Sequence, residues 1–479
     1  MWLIPGVLAL NGVLAAVGYC LLYPALRGTT AARWVSYGGV ALLVGTGAVG
    51  VALCMIAPLE IRIGLGTFFA TAAVLAAGGL LAGRLAGDRR RLRADPQSSG
   101  APGRAGDLVA TVAAFGIVAV LTIALVGAFR SAAWLDDTWY FWLPKGRALD
   151  LTGLDPRLWR PDPALHMVFG NDYESLWFIR PDNPLWWSIL LDLDVRFVGN
   201  VDLRAVNGEL AFLMIGFVAT TVRLLWGRVR PWILLVSVGA LLSAPELLRQ
   251  AQSGAADVPL AIYLAVAVLT AVGWLVLRDG FALALFVVFS STAIAIKSEG
   301  ILELVLFLAI VSLAGWQYRR GLLLLWAATA VAVATSVPWF VWRATHDISN
   351  VFSLRNAVSP SYLSDHTNLL HGGLRILGDH FTSIREWSLI VPLTVMLGLA
   401  GLVRERRALW IAPIACLAAA YGLFVWISWA DPEGAFRLTA SAYRYVTPPI
   451  VLAGIFLPLL GERLVRSLGI GRPSGGDWS

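Results

Sequence analysis

Apolar residues in this chain occur in long, unbroken stretches instead of alternating with polar residues. About thirteen such stretches occur, and most are close to the ~20 residues that an α-helix needs to cross a bilayer. Continuous stretches of this length predict transmembrane helices and argue against an outer-membrane barrel, whose strands alternate in polarity. The predicted spans are 3–23, 34–57, 63–83, 107–128, 206–222, 231–244, 258–277, 281–296, 301–314, 321–342, 387–403, 408–429 and 445–460.

Composition supports the same class of protein, because 58% of the 479 residues are hydrophobic and only 14% are charged. This balance excludes an ordinary soluble domain and is typical of an all-α, polytopic membrane protein. The cysteines all fall inside predicted helices, so neither a disulfide framework nor a cysteine metal site is expected. The first stretch has no basic region before it and no obvious cleavage site, so we expect a retained helix rather than a signal peptide.

Arginines in the short loops predict the orientation of the chain. Segment 84–106 carries six arginines, and the positive-inside rule places it in the cytoplasm. The other arginine-rich loops then alternate consistently, with the N-terminus outside and the tail 461–479 inside. Loops 129–205, 343–386 and 430–444 are outside in this arrangement. The net charge of +7 therefore indicates membrane orientation and not nucleic-acid binding.

The arginine-, proline- and glycine-containing segment 84–106 also predicts a flexible cytoplasmic linker. It divides an N-terminal unit of about three helices, 1–83, from a larger core, 107–460. Within the first outer loop, the tryptophan-rich stretch after Asn183-Pro184 predicts an interfacial helix that lies on the membrane. Most tryptophans of this loop indicate an aromatic belt at the headgroups, and one or two of them suit stacking against sugars.

The adjacent carboxylates Asp136 and Asp137 are the strongest candidates for chemistry. They follow a long apolar helix and begin an outer loop, where desolvated carboxylates are costly. One could act as a general base toward a hydroxyl, and the other could orient a substrate or bind a divalent cation through oxygen. The alternative is structural, as the N-cap and first turn of a following helix.

Candidate cations and a third carboxylate lie on the same predicted face. Asp257 begins a helix, either as its cap or as a ligand for an acceptor or a cation, and Arg249 precedes it as a potential anion contact. Lys297 suits a phosphate oxygen, although with Glu299 it could simply form an ion pair in a tight turn. Arg444 suits a lipid phosphate or an interfacial anchor.

Only Lys145 and Lys297 are lysines among 37 basic residues. A genome of high GC content explains this bias, and a need for a compact ammonium at two positions is the alternative. Arg437, seven residues before Arg444, completes the set of candidate cations.

Taken in order, these motifs resemble the GT-C superfamily of membrane glycosyltransferases, particularly the protein-O-mannosyltransferase-like and aminoarabinose-transferase-like branch. The resemblance covers about residues 107–460 and includes the acidic pair, a Pro-Leu element, an Asp-x-Pro helix start, a Lys-x-Glu-Gly turn and an Arg-Tyr-x-x-Pro motif. Two motifs depart from the family's usual pattern: the acidic pair is Asp-Asp instead of Asp-Glu, and Asp-Asn-Pro (182–184) replaces His-Pro-Pro.

The resemblance implies that a sugar moves from a polyprenyl-phosphate donor to a hydroxyl of a glycan, lipid or protein acceptor, with inversion at the anomeric carbon. It also implies an Asp136–Asp137 general base at the extracytoplasmic face of a bacterial plasma membrane, in biogenesis of the cell envelope. Binding of the donor phosphate and the substrate would fall to Lys297, Arg444, Arg437, Lys145, Arg249, Asp257 and Glu299. The resemblance leaves room for a Mg²⁺, Mn²⁺ or Ca²⁺ ion between a carboxylate and the phosphate.

Two other classes of function stay open. One is a transporter or flippase for a polyprenyl-linked lipid or a solute, which normally needs charged residues near the membrane midplane. The other is a non-catalytic membrane scaffold. The sequence contains no Walker-type loop, no HExxH and no GxSxG, so it does not support nucleotide hydrolysis or the common hydrolase mechanisms.

Overall fold

The computed structural model of this chain describes residues 2–85, 104–135, 137–155, 159, 182–348, 354–405, 408–431 and 434–468. Regular secondary structure in these ranges is helical, apart from one isolated bridge between Trp226 and Val229. The prediction of an all-helical protein is therefore confirmed for the described part of the chain.

The described helices are numbered here in chain order. In the first half of the chain they are α1 (Leu3–Leu26), α2 (Ala31–Ser36), α3 (Gly38–Ile56), α4 (Leu65–Leu85), α5 (Arg104–Arg130), α6 (Leu143–Thr152), α7 (Trp186–Val198), α8 (Leu203–Leu225), α9 (Pro231–Leu242) and α10 (Pro245–Gln250). In the second half they are α11 (Asp257–Leu277), α12 (Gly280–Ile296), α13 (Glu299–Ala314), α14 (Arg319–Ala334), α15 (Val337–Thr345), α16 (Leu354–Ala357), α17 (Pro360–Asp365), α18 (Thr367–Thr382), α19 (Ile384–Trp387), α20 (Ile390–Glu405), α21 (Ala412–Ala430), α22 (Gly434–Tyr445) and α23 (Thr447–Ser467).

Eight of the described helices are long and apolar enough to cross a membrane. Two further spans arise if each of two sharply bent pairs counts as one crossing: α13 with α14, bent by 89°, and α18–α19 with α20, bent by 100°. α9 and α12 are apolar but shorter. The length and apolar character of the described helices thus favour a membrane-embedded protein, whereas the number of thirteen spans stays a prediction.

The single helix predicted over 321–342 is in fact two helices. α14 ends at Ala334, and α15 begins at Val337 with Pro338 in its first turn. Proline disfavours helical backbone at the residue before it and cannot donate a backbone hydrogen bond, so the helix stops and restarts here. In the same way, Ser388 has a φ of 53°, and the span predicted over 387–403 begins only at Ile390.

Helices α1 and α3 cross at close range through glycine. A Cβ atom on Gly18 would meet the carbonyl oxygen of Ala41, and one on Gly45 would meet that of Leu14. Only a residue without a side chain allows two backbones to approach so closely. The crossing therefore depends on both glycines.

Other glycines of α3 face later parts of the chain. Gly45, Gly47 and Gly50 have the spacing of a dinucleotide-binding fingerprint, but they lie inside a helix. Thr292 is next to Gly47, and the indole ring of Trp186 is next to Gly50. Because the fingerprint needs a strand before it and a helix start after it, these glycines serve helix packing instead.

Contacts also join the N-terminal helices to the predicted core. The Tyr263 hydroxyl of α11 donates to the carbonyl oxygen of Leu43 in α3 at 3.0 Å. The Asn11 amide of α1 donates to Glu209 of α8 at 2.6 Å. Most of the predicted linker 84–106 lies outside the described residues, and the division of the chain into 1–83 and 107–460 stays a prediction.

Helix α11 is central in this arrangement. Nearly all of its residues are buried, and it packs against α12 and α23. It is apolar on every side, which is typical of a helix surrounded by other helices. Its first residue is Asp257, so one end of the central helix carries a charge.

The helix predicted after Asn183-Pro184 exists as α7, but it is buried on all sides instead of lying on a membrane surface. Trp186 and Trp187 are fully buried, and α7 contacts α1, α3 and α6. Its apolar run therefore meets protein where we expected lipid. Among the other tryptophans of this loop, Trp134 and Trp139 are 44% and 50% exposed, as expected for a belt, whereas Trp142 is buried. Trp177 lies outside the described residues.

We predict that Gly18→Ala destabilises the protein by about 1–3 kcal/mol, because the added methyl group overlaps the Ala41 carbonyl oxygen. Gly12 lies in the same helix with nothing within 4 Å of its Cβ position, so Gly12→Ala is the matched control. Thermal unfolding in detergent compares the two variants. Equal melting temperatures would show that α1 and α3 do not cross as described.

Candidate active site

Four charged side chains from distant parts of the sequence meet beside the first turn of α11. Asp257 begins this helix, and Lys297 lies in the turn between α12 and α13. Arg444 is in the last turn of α22, and Asp137 immediately precedes a turn of π-helix, Thr138–Trp142. Each of these four residues was singled out from a different sequence motif, and the fold joins them in one network.

Asp257 holds the two cations side by side. The Lys297 ammonium donates to its Oδ1 at 2.9 Å, and the Arg444 Nε donates to its Oδ2 at 2.9 Å. Arg444 extends further, and its Nη2 donates to Oδ2 of Asp137 at 2.5 Å. The order along the network is therefore Lys297, Asp257, Arg444, Asp137.

The inner end of this network is buried. Asp257, Lys297 and Arg444 are 2%, 6% and 7% exposed. Charges removed from water need nearby charges of opposite sign, which the three residues supply for one another. Burial alone would lower the pKa of the Lys297 ammonium, but the negative charges of Asp257 and Glu299 raise it above its ordinary value. Lys297 is thus protonated at neutral pH.

The other end of the network is open. The side chain of Asp137 is 40% exposed, whereas that of Arg444 is 9% exposed. Asp137 is therefore the carboxylate that a ligand from solution can reach. Its side chain makes no hydrogen bond to the helical turn that follows, so pairing with Arg444 replaces the capping role considered for it.

Ion pairs also replace the capping role considered for Asp257. The N-cap residue of α11 is Ala256, and no side chain caps the helix. Asp257 lies in the first turn, where the helix dipole favours a negative charge. Both of its carboxylate oxygens form ion pairs, one with Lys297 and one with Arg444. Lys297, for its part, pairs with Asp257 across a gap of 40 residues, so its role is not limited to a local pair with Glu299.

The loop that carries Asp137 is attached to the segment before α11. The backbone N–H of Leu135 donates to the carbonyl oxygen of Ser253 at 3.2 Å, and the Thr138 hydroxyl donates to the same oxygen at 3.1 Å. Gly254 follows with a φ of +76°, and a Cβ there would collide with Thr138. This close approach requires glycine and brings Asp137 toward the start of α11.

The turn that carries Lys297 is attached to the Asp182–Leu185 element. The backbone N–H of Ser298 donates to Oδ1 of Asn183 at 3.3 Å, and its hydroxyl donates to the carbonyl oxygen of Asp182 at 3.2 Å. Trp187 at the start of α7 donates its indole N–H to the carbonyl oxygen of Gly254 at 2.9 Å. The element that contains the Asn-Pro-Leu motif therefore contacts the turn that carries Lys297 and helps to hold it in place.

Arg444 is positioned by a set of polar contacts around Gln250, the Gln250 clamp. The sequence analysis did not identify this clamp. The Gln250 amide donates to Glu246 at 2.7 Å and to the carbonyl oxygen of Tyr443 at 3.2 Å, and the Thr447 hydroxyl donates to Gln250 at 2.9 Å. These bonds connect α10 to the residues on both sides of Arg444. The i,i+4 spacing of Glu246 and Gln250 was the available signal for this clamp.

The remaining predicted residues occupy other surroundings. The Lys145 ammonium is fully buried beneath aromatic rings, 3.9 Å from the centre of Phe141 and 5.4 Å from that of Trp159. The Arg249 guanidinium donates twice to Glu246, each time at 2.7 Å, and lies over the Tyr443 ring. The side chains of Arg437 and Asp136 lie outside the described residues.

The described part of the site does not by itself suit a divalent cation. Both oxygens of Asp257 and one of Asp137 already accept from basic side chains. No group of three or more histidine, cysteine, aspartate or glutamate side chains gathers among the described residues. Mg²⁺ and Ca²⁺ prefer several oxygen ligands.

Comparison with known proteins does not assign this chain to a family. No protein-family model, no curated protein and no solved structure matches this chain. A function must therefore be inferred from the motifs and from the geometry of the site.

We predict unequal effects on stability for the two carboxylates. Asp257→Asn leaves Lys297 and Arg444 buried without their shared partner and should destabilise the protein by about 3–5 kcal/mol. Asp137→Asn removes a partly exposed partner and should cost at most about 1 kcal/mol. Thermal unfolding of both variants in detergent measures the difference. Equal losses would mean that Asp257 is not the centre of the network.

Proposed function

We propose that this protein is a GT-C-like glycosyltransferase that moves a sugar from a polyprenyl-phosphate donor to an acceptor hydroxyl. The observation that supports this proposal is the network of Asp137, Asp257, Lys297 and Arg444. It combines two cations suited to a phosphate with one carboxylate that solvent reaches, all at the end of a buried helix.

The cations are the proposed binding site for the donor phosphate. Asp257 fixes the ammonium and the guanidinium next to each other, so their positions are set before the donor arrives. Lys297 and Arg444 each have more N–H donors than their bonds to Asp257 use, and guanidinium groups bind phosphate oxygens in a forked geometry. Such preorganised cations stabilise the charge that develops on a leaving phosphate.

Asp137 is the proposed general base within the Asp136–Asp137 pair. Without donor, its carboxylate accepts from Arg444. The donor phosphate is a diester with one negative charge, like a carboxylate, but its two free oxygens can accept from Lys297 and Arg444 together, and this competition for the guanidinium would release Asp137. The released carboxylate then accepts the proton of the acceptor hydroxyl. The acceptor oxygen forms a bond to the anomeric carbon from the opposite face, the bond between that carbon and the phosphate oxygen breaks, and polyprenyl phosphate leaves as an anion.

The chain's own residues supply every step of this scheme. A divalent cation remains an alternative partner for the donor phosphate, with Asp136 and Asp137 as its ligands, and transfer after treatment with a chelator tests it. The proposed location is the extracytoplasmic face of a bacterial plasma membrane. The arginines Arg463 and Arg466 at the opposite end of α23 favour this orientation, because they would then lie in the cytoplasm.

We predict that Asp137→Asn lowers sugar transfer by about 10²–10⁴-fold while the protein keeps its fold, because a general base contributes that much to a rate. The assay uses protein in nanodiscs, a panel of radiolabelled polyprenyl-phosphate sugars and a membrane extract as the acceptor. Asp136→Asn is measured beside it. Asp365→Asn is the matched control, since Asp365 is an exposed carboxylate at the end of α17.

Transfer of one sugar, lost in Asp137→Asn or Asp136→Asn and retained in Asp365→Asn, would support the enzyme and identify its donor. Unchanged transfer in both pair variants would contradict the proposed base. Absence of transfer from every donor, with donor binding retained in all variants, would favour a scaffold or a transporter.

Buried carboxylates favour the transporter as the second candidate. Glu209 is fully buried and accepts from Asn11, and neither oxygen of the buried Asp194 has a hydrogen-bond partner among the described residues. Buried acids in membrane proteins often carry protons or ions. Glu209, however, lies only about 9 Å along α8 from Leu203, which is short of the midplane of a ~30 Å bilayer core.

We predict that Glu209→Gln leaves sugar transfer unchanged. Glutamine can still accept from Asn11 and cannot ionise in this buried position, so the variant should unfold at the wild-type temperature or above it. Transfer in nanodiscs and uptake of labelled polyprenyl lipid into proteoliposomes are measured together. Uptake that depends on Glu209, with no sugar transfer from any donor, would contradict the proposed glycosyltransferase activity and favour a transporter.

A further inference from the structure

A buried polar layer lies at the junction of α1, α7 and α8, and the proposed reaction does not use it. Its members are Asn11, Asp194 and Glu209, one from each helix, and they are 4%, 0% and 0% exposed. The Asn11 amide donates to Glu209 at 2.6 Å and to the carbonyl oxygen of Val7 at 3.0 Å. The layer therefore contains two carboxyl groups that water does not reach.

Helix geometry places Asp194 in the same layer as the other two side chains. One apolar cluster is buried between these three helices, and each of its members is four positions from a member of the polar layer. The pairs are Val7 with Asn11, Val198 with Asp194, and Ala205 with Glu209. Residues four apart lie on the same face of a helix, about one turn from each other. The polar side chains thus form the next layer below the apolar cluster.

This layer contains hydrogen-bond acceptors without matching donors. Neither oxygen of Asp194 has a hydrogen-bond partner, and Oε1 of Glu209 and Oδ1 of Asn11 have none either. An unpartnered acceptor in a buried site costs free energy, and an unpaired charge costs more. The four oxygens therefore point to a ligand that supplies positive charge or a hydrogen-bond donor.

Charged groups on the surrounding helices do not supply it. Helices α1, α3 and α12 contain no charged residue, and Arg130 at the end of α5 is exposed. Tyr263 of α11 donates its hydroxyl to the carbonyl oxygen of Leu43. The other nearby charges pair with one another, namely Arg147 with Asp192 at 3.2 Å, Arg196 with Asp150, and Arg204 with Asp202 at 2.6 Å. Among the described residues, no basic side chain pairs with Asp194 or Glu209.

A proton fits this layer better than a metal ion does. Ca²⁺ takes about six to eight oxygen ligands, whereas only four oxygens of the layer are unpartnered. The apolar cluster lies on one side of the layer, and Leu14, Leu190 and Leu213 are buried about one turn away on the other. A hydrated ion would have to cross these apolar side chains. A proton needs neither additional ligands nor space.

We propose that Asp194 and Glu209 hold one proton between them, as a carboxyl group that donates to a carboxylate. The layer is then a proton-binding site where α1 joins the core, and Asn11 donates to the negative charge that remains. Two neighbouring acids rarely ionise together, because their charges repel each other. In agreement, burial and then the charge of Glu209 raise the pKa of the Asp194 carboxyl well above its ordinary value.

The shared proton makes stability depend on pH. In the unfolded chain, both acids are ionised above about pH 5. At neutral pH the folded protein therefore binds one more proton than the unfolded chain does. The equilibrium constant for folding should then fall roughly tenfold for each pH unit while the pair keeps its proton. The contribution of the pair to stability is greatest at acidic pH and is lost as the pH rises.

The double variant Asp194→Asn/Glu209→Gln tests the shared proton in the purified full chain. Both substitutions keep the shape of the side chains, and an amide N–H at position 194 can replace the shared hydrogen. Asp365→Asn is the matched control, because Asp365 is an exposed carboxylate. Thermal unfolding in a neutral detergent is followed from about pH 5 to about pH 9. Infrared difference spectroscopy at neutral pH detects the C=O stretch of a protonated carboxyl group, which a carboxylate lacks.

The wild-type unfolding temperature should fall with rising pH more steeply than that of the double variant, and Asp365→Asn should follow the wild type. The wild type should also show a protonated carboxyl band that the double variant lacks. If the double variant does not fold, Glu209→Gln alone should shift this band, because it changes the partner of the protonated group.

Parallel pH profiles of the wild type and the double variant, or a carboxyl band that neither variant changes, would overturn the proposal. Stabilisation by added Ca²⁺ that the double variant lacks would also overturn it, since a metal ion would then occupy the layer. None of these outcomes depends on sugar transfer, so the proton site is tested separately from the proposed activity.

Discussion

The ion pairs of Asp257 are the interaction on which the site depends. One buried carboxylate accepts from Lys297 and Arg444, and in doing so it ties the start of α11 to the turn before α13 and to the end of α22. Removal of any one partner would leave a charge in a region with little access to water. The three segments must therefore arrive together. Asp137 adds the more exposed of the two carboxylates, and the network acquires one buried end and one open end.

Close backbone contacts complete this arrangement. Gly254 allows the loop of Asp137 to approach the segment before α11, and the Gln250 clamp fixes the residues around Arg444. The helices behind the site are joined just as closely, because the glycines of α3 let α1 and the indole of Trp186 come near its backbone. A catalytic geometry held by rigid helices and their short connections is more accurate than one placed on long loops.

The sequence could predict much of the helical structure and most of the charged residues of the site. Apolar stretches locate the helices, and motif positions identify Asp137, Asp257, Lys297 and Arg444 separately. The sequence could not show that these residues pair, since Asp257 and Arg444 are 187 residues apart and meet only through helix packing. The burial of α7 was missed for the same reason, because an apolar surface can face either lipid or protein. Pro338 is visible in the sequence, but the prediction of one helix over 321–342 did not allow for the break that this proline causes inside an apolar stretch.

The most direct test of the account is a structure of the protein in nanodiscs with a non-transferable polyprenyl-phosphate sugar analogue, determined by electron cryomicroscopy. We expect the phosphate to lie within hydrogen-bond distance of Lys297 and Arg444, Asp257 to contact both cations still, and Asp137 to have separated from Arg444 toward the anomeric carbon. A phosphate bound elsewhere, with the Asp137–Arg444 pair intact, would contradict it.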